Sequence, residues 1–321
     1  MDAPEEKLAN GMRIQKHHDV TWIDIEHPSH EIFKQLETDY HLHPVHLRES
    51  IQKIQLTEAE HEEHYIFLLL HIPFYDTAIG KIQIYQTGIF LGKKYLITIH
   101  EGQIPVITHM FEQCLHNDDH KEQRINKSSG YLLYNIVNKL LESISALSED
   151  TIGELDEIES LVFDNNGSDA YRIGKVRQKI VRLRRVIAPL KIVLDDLTHQ
   201  INSFTGESLS KHYSNNTKTA RKLLEIIDEA KDTVEIYKDA DFTTSTEQTN
   251  QILAVLTLLF TFTIPITVIG TLYGMNVPLP GGITGGAWTF LGSYTTFKIA
   301  VVISFGSAIA MYLYFRQKKW F

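Results

Sequence analysis

ILAVLTLLFTFTIPITVIGTL, residues 252–272, runs straight into Tyr273-Gly274-Met275-Asn276, and its reading decides how the chain folds. A helix rises ~1.5 Å per residue, so about 20 apolar residues cross a hydrocarbon core of ~30 Å. Residues 297–315 form a second such run. Neither run contains Asp or Glu, and Lys298 is the one base inside them. Two spans near the C-terminus, the first with an Asn amide at its mouth, read as a membrane pore element.

Charge separates this hairpin from the rest. The chain has 321 residues and a net charge of −9, while residues 250–321 hold no acid and four bases, Lys298, Arg316, Lys318 and Lys319. Residues 1–249 therefore carry a net −13. A body of that size can bury a real core. Its acidity argues against nucleic acid, which wants a basic face. It suits either divalent cations or a plainly solvated acidic surface.

Met1-Asp2-Ala3-Pro4-Glu5-Glu6 has neither the basic nor the apolar segment of a signal peptide. The body is therefore expected in the cytoplasm, and a two-span hairpin returns the C-terminus to the same side. Arg316, Lys318 and Lys319 follow the second span, whereas the loop 277–296 carries no charge, as the positive-inside rule requires. Lys298, at the outer end, is tolerated because its stem can snorkel. The single cysteine, Cys114, excludes an intrachain disulfide and a thiolate metal cluster.

Along the body, Trp22-Ile23-Asp24-Ile25 alternates like a strand, Pro28-Ser29 breaks it, and residues 31–40 have helical spacing. A second helix is expected over 44–51. Residues 65–72 form an apolar run of strand length. Residues 82–85, 88–91 and 95–100 follow as short strands, with Gly92-Lys93-Lys94 as a tight turn. This is a mixed sheet with flanking helices, ending near Ile104-Pro105. From Val106 the pattern is helical: 132–161, a turn at Asn165-Asn166-Gly167-Ser168 with Ser168 or Asp169 as N-cap, then 172–198 with Pro189 inside. After Gly206 a helix starts near Leu209 and meets no Pro or Gly before Pro265. Such a helix is a stalk carrying the membrane segment.

The resulting division is 1–105 cytoplasmic α/β domain, 106–206 helical region, 207–249 stalk, 250–276 first span, 277–296 outer loop, 297–315 second span and 316–321 basic tail. The fold class is α+β, joined through the stalk to a two-helix transmembrane hairpin.

Steps of three and four from Asn250 reach Leu253, Thr257, Phe260, Ile264, Thr267, Thr271 and Gly274. In a ring of such helices this face makes an Asn ring, a hydrophobic constriction that can gate by dewetting, then hydroxyl rings. Pro265 is tolerated where neighbouring helices or hydroxyls such as Thr261 satisfy the freed backbone. The plainer alternative is a lipid anchor whose threonines bond back to their own helix. Pro278 and Pro280 end the segment with carbonyls and the Asn276 amide at one level. Magnesium sheds water reluctantly, so a ring of neutral oxygens can hold it through its hydration shell.

Gly274-Met275-Asn276, just after the penultimate span, resembles the signature of the CorA family of magnesium and cobalt channels. Trp22-Ile23-Asp24-Ile25, Leu42-His43-Pro44, Ile89-Phe90-Leu91-Gly92 with Ile97-Thr98-Ile99-His100, Leu183-Arg184-Arg185 through Pro189-Leu190, and Lys318-Lys319-Trp320-Phe321 resemble family segments too. The resemblance implies a homopentameric channel in the cell (inner) membrane with both termini cytoplasmic. Magnesium is then the transported ion and also the regulator, bound between subunits and closing the channel; no organic cofactor is implied. Asn276 corresponds to the outer selectivity ring, acting through hydrating waters. Asn250, Leu253, Leu256, Ile264 and Thr267 fall at pore-facing positions, and Asp239 near the inner vestibule. Two departures stand out: the uncharged outer loop, where relatives commonly carry an acid, and Leu47-Arg48-Glu49, where an acidic pair is usual. The regulatory residues are therefore not assigned. Zinc transport of the ZntB type is the nearer alternative, and a non-conducting anchored scaffold the more distant one.

Sixteen histidines raise the question of zinc. His116 and His120 are spaced i, i+4, and His61 with His64 and His41 with His43 are close pairs, but no third ligand is evident for any of them. Asp195-Asp196 and Glu149-Asp150 read as solvated helix faces. No Walker A loop, Gly-x-Ser-x-Gly or His-Glu-x-x-His is present, so no enzymatic activity is expected.

Overall fold

A computed structural model describes residues 7–8, 11–52, 57–102, 104–116, 128–163, 170–275, 292 and 294–318. They fall into two compact units, 1–241 and 242–321.

The first unit is built on one mixed sheet. Its strands are β1 (Lys7–Leu8), β2 (Met12–His17), β3 (Val20–Glu26), β4 (Glu58–His61), β5 (Tyr65–Asp76), β6 (Lys81–Gly92) and β7 (Tyr95–His100). The spatial order is β1-β2-β3-β7-β6-β5-β4. All neighbours are antiparallel except β3 and β7, which pair in parallel with Asp24 opposite Thr98 and Glu26 opposite His100. A parallel pair needs a crossover. The crossover here includes α1 (His30–Tyr40), α2 (Pro44–Glu49) and the β4–β6 meander. Ser29 caps α1 by accepting the Ile32 amide proton at 3.3 Å, which is why the Pro28-Ser29 break becomes a helix start.

Both faces of the sheet are covered, which explains the uninterrupted apolar run of β5. Ile66, Leu68, Leu70 and Ile72 face one cluster with Trp22, Ile89 and Leu91. Tyr65, Phe67 and Leu69 face the other, beneath Ile32 and Leu36 of α1 and Leu47 of α2. The first cluster is closed by α3 (Pro105–His116), α4 (Ser129–Phe163), α5 (Ala170–Thr205) and the part of α6 (Ser210–Gly274) that belongs to this unit.

Two strand readings change. Residues 82–85 and 88–91 are a single strand, because β6 pairs with β5 without a break from Lys81–Asp76 to Gly92–Tyr65. Gly88 lies mid-strand for a steric reason: a Cβ there would sit 2.0 Å from the Ser50 hydroxyl at the end of α2. β5 likewise runs past Ile72 through Pro73. Its partner β4 stops opposite Leu69, so Pro73 lies beyond the β4 ladder and forfeits no bond to that strand. Helix α2 ends at Glu49, slightly short of the expected 51, and α5 runs unbroken through Pro189. The turn at 165–168 lies outside the described residues.

The second unit holds the remainder of α6 and α7 (Thr295–Gln317), both long and apolar enough to cross a membrane. The long helix expected from near Leu209 is continuous from Ser210 to Gly274, through Pro265.

Candidate ion pathway

The end of α6 carries most of the residues singled out above. In lipid a helix satisfies its backbone internally, so the β-branched Val, Ile and Thr residues that weaken helices in water cost little here. At 100° per residue, Asn250, Leu253, Leu256, Thr257, Phe260, Ile264, Thr267, Thr271 and Gly274 fall within a stripe about 120° wide, and Asp239 projects onto the same stripe. Every one of them is exposed in the single chain. No residue in the most apolar stretch of α6 is buried. An apolar helix bare on all sides needs lipid or further copies of the chain around it.

The hydroxyls have a definite polarity. Thr257 donates to the Leu253 carbonyl at 2.7 Å, Thr267 to the Thr263 carbonyl at 2.8 Å and Thr271 to the Thr267 carbonyl at 2.7 Å. Each proton is committed to the helix, so each oxygen turns lone pairs outward. This is the back-bonding expected of a plain anchor, yet it also leaves a row of acceptors suited to a cation or its waters.

The helix closes at Gly274, and the Met275 amide bonds back to the Leu272 carbonyl at 3.4 Å. Gly274, like Gly270, has nothing within 4 Å of where a Cβ would lie. No contact among the described residues therefore demands glycine there. Asn276, the outer loop and the tail beyond Lys318 lie outside the described residues. Asp239 is exposed, its carboxylate 3.8 Å from the Lys238 ammonium.

The suspected metal pairs do not gather ligands among the described residues. His43 is a helix cap, its Nδ1 accepting the Val45 amide proton at 3.2 Å. His61 reaches Asp196 at 3.2 Å. His120 is outside the described residues. Asp195 pairs with Lys191 at 3.5 Å, as a solvated face should. The one three-ligand group among the described residues is His46, Glu60 and Glu62. Sequence spacing missed it because the glutamates arrive from a hairpin well beyond the helix bearing His46.

A covered α/β unit followed by an apolar helical hairpin is the architecture of a membrane protein with a large soluble body. Comparison narrows this. Residues 17–317 match the family model described as CorA-like Mg2+ transporter protein, and the chain belongs to that family of membrane transporters. The cobalt/magnesium transport protein CorA of Thermotoga maritima is 23% identical over 303 residues, covering 94% of this chain and 83% of the relative. The complete structure of the CorA magnesium transporter from Methanocaldococcus jannaschii has the same fold, with a TM-score of 0.74, 20% identity and coverage of 96% and 93%. The ZntB cytoplasmic domain from Vibrio parahaemolyticus also shares the fold, with a TM-score of 0.59, 16% identity and coverage of 71% of this chain and 88% of that one.

Proposed function

We propose that the chain is a divalent-cation channel, carrying magnesium and also cobalt or nickel inward as a homopentamer of the cell membrane. The observation that carries this reading is Gly274-Met275-Asn276 closing an apolar helix in a chain of this family. In this reading residues 1–206 form the cytoplasmic body, 207–249 the stalk, and 250–276 line the pore. Asn276 holds the hydrated ion at the outer mouth, Gly274 and Met275 shape the turn behind it, and Leu253, Leu256, Phe260 and Ile264 form the constriction. Asn250 stands at the inner mouth and Asp239 in the vestibule below it. Gly270 and Gly274, with no described atom within 4 Å of a Cβ position, leave room for the close approach of a neighbouring helix in such an oligomer. A membrane potential drives the ion, worth ~4.6 kcal/mol for a dication per 100 mV. Cytoplasmic magnesium bound between subunits favours the closed state, a ligand-biased population shift.

The test is magnesium influx into proteoliposomes under an inward potential, comparing the unaltered chain with Asn276→Ala at matched incorporation. Influx that collapses in the variant supports the assignment; equal influx in both removes Asn276 from selectivity. No influx into vesicles whose interior is magnesium-free defeats the channel reading. The fold shared with a ZntB domain favours zinc transport as the second reading, and zinc flux that follows a proton gradient distinguishes it.

A further inference from the structure

We propose that His46, Glu60 and Glu62 form a divalent-metal site within the α/β unit, selective for zinc or cobalt(II) over magnesium. The site lies within residues 1–241 and does not depend on the transport reading.

Three elements bring the ligands together. His46 lies on α2, Glu60 on the edge strand β4, and Glu62 in the turn into β5, where its amide donates to the Tyr65 carbonyl at 2.9 Å. The candidate ligand atoms all lie within 4.8 Å of one another. Four-coordinate zinc, with bonds of ~2.0–2.1 Å, needs ligand atoms roughly 3.3 Å apart. Glu62 is exposed and can close that gap by a side-chain rotation.

The imidazole is already placed as a ligand should be. His46 is only 4% exposed, and its ring stacks on Phe67 with centroids 4.5 Å apart. Nδ1 is 2.8 Å from the Tyr65 hydroxyl oxygen, which also accepts the His43 amide proton at 3.0 Å. A phenol oxygen has two lone pairs, so it can accept from both His43 N–H and His46 Nδ1–H. That tautomer leaves a lone pair on Nε2, and a bound metal would there replace the proton that the 3.1 Å contact between Nε2 and Glu60 Oε2 otherwise shares. Anchoring the remote nitrogen of a metal-binding imidazole is how outer partners orient a ligand.

The surroundings are anionic, and His46 is the partner that Glu60 has among the described residues. Among the described residues no Lys or Arg forms an ion pair with Glu49, Glu58, Glu60 or Glu62. Glu49, one turn after His46 on α2, has a buried carboxylate oxygen with no hydrogen-bond partner. A dication supplies the missing positive charge. The nitrogen donor selects its class: imidazole suits zinc and cobalt, whereas magnesium prefers oxygen ligands in an octahedral shell.

Full-length protein in detergent, stripped with chelator and returned to magnesium-containing buffer, provides the test. Zinc chloride is added, and bound zinc per chain is counted for the unaltered protein, Glu62→Gln and His46→Gln. Either variant should bind this zinc at least about tenfold more weakly. Zinc in the ion pathway would be common to all three proteins and drops out of the difference. His46 is buried and its variant can fail to fold, but Glu62 is exposed, so Glu62→Gln keeps the test decisive. Cobalt(II) should give visible ligand-field bands that change in Glu62→Gln. Equal zinc affinity in the unaltered protein and Glu62→Gln overturns the site, as does displacement of the zinc by equimolar magnesium.

Discussion

In residues 1–241 the core is built on large rings: Trp22, Phe67, Phe90 and Phe111 are buried, although Phe74 and Phe163 are exposed. In residues 242–321 Phe242, Phe260, Phe297 and Phe305 all stand open. The hydroxyls follow the element rather than the region: Thr98 on a strand reaches the Asp24 carboxylate at 2.5 Å, whereas helical threonines bond back to their own helix in both, Thr151 and Thr198 as much as Thr257 and Thr267. Identical residue types thus serve two solvents. In water an apolar ring is driven to cover and a buried polar group must find a partner. In a bilayer the lipid covers the ring, and the helix satisfies its own polar groups.

Trp22→Ala draws that contrast most sharply. Trp22 packs edge-on against Phe111 at 4.9 Å, and its indole N–H donates to the Thr98 hydroxyl at 3.3 Å. Its truncation should cost about 3–5 kcal/mol. Urea unfolding of the full-length protein in detergent measures this, and a loss under about 1 kcal/mol would contradict the buried-core assignment.

Next in size is the charged cluster behind the same strand. Asp24 and His100 are both fully buried, 3.2 Å apart, with Arg13 paired to the other carboxylate oxygen and the His100 Nδ1 2.7 Å from the Gly102 carbonyl. Burial alone would raise the Asp24 carboxyl, but the His100 bond and charge, the Thr98 hydroxyl and Arg13 outweigh it and hold its pKa below 3.8. Burial likewise opposes the charged imidazole, yet the bond to and charge of Asp24, with the Gly102 carbonyl, raise His100 above 6.5. Removing one partner of a buried pair costs about 3–5 kcal/mol, so Asp24→Asn should approach Trp22→Ala in effect. The pH dependence has a definite sign. The Asp24 contribution is full above its ordinary 3.8 and fades as pH falls through the depressed native value. The His100 contribution is full below 6.5 and fades as pH rises through the raised native value. Stability from the pair should thus be greatest between those two values, and His100→Gln should flatten its alkaline limb. An unchanged alkaline limb in that variant would show that His100 does not titrate with folding.

Ile264→Ala probes the second region. Its side chain is exposed in the protomer, so unfolding of residues 1–241 should shift by less than about 0.5 kcal/mol. Ion flux through the proposed constriction should rise instead. A destabilisation comparable to Trp22→Ala would mean that this helix packs like a soluble core. The smallest effect is expected at the surface pair Arg184–Asp228, 2.5 Å apart and about half exposed. Arg184→Gln should cost no more than about 1 kcal/mol and lose that in high salt, as a double-mutant cycle with Asp228→Asn would report.

The apolar runs at 252–272 and 297–315 were legible because lipid imposes length and composition on any span. Trp22-Ile23-Asp24-Ile25 was legible as a strand because alternation is local. Asp24 itself was not legible as half of a buried ion pair: His100 lies on another strand, and only the parallel β3–β7 register brings them together. Gly88 stood at the start of a separate strand 88–91; the Ser50 side chain that excludes a Cβ there comes from the residue capping α2. The histidine spacings pointed to His116 with His120, His61 with His64 and His41 with His43, while His46 acquired its carboxylate neighbours from a folded hairpin.

Sequence alone determined the division into an acidic body and an apolar cationic hairpin, the Gly-Met-Asn segment, and hence the family. Those features are local in the chain, and a bilayer reads them directly from composition. Tertiary structure alone decided the strand order, the Asp24–His100–Arg13 cluster, and the meeting of His46 with Glu60 and Glu62. Each of these joins groups distant along the chain, and pairing of that kind follows from packing and register rather than from any local pattern.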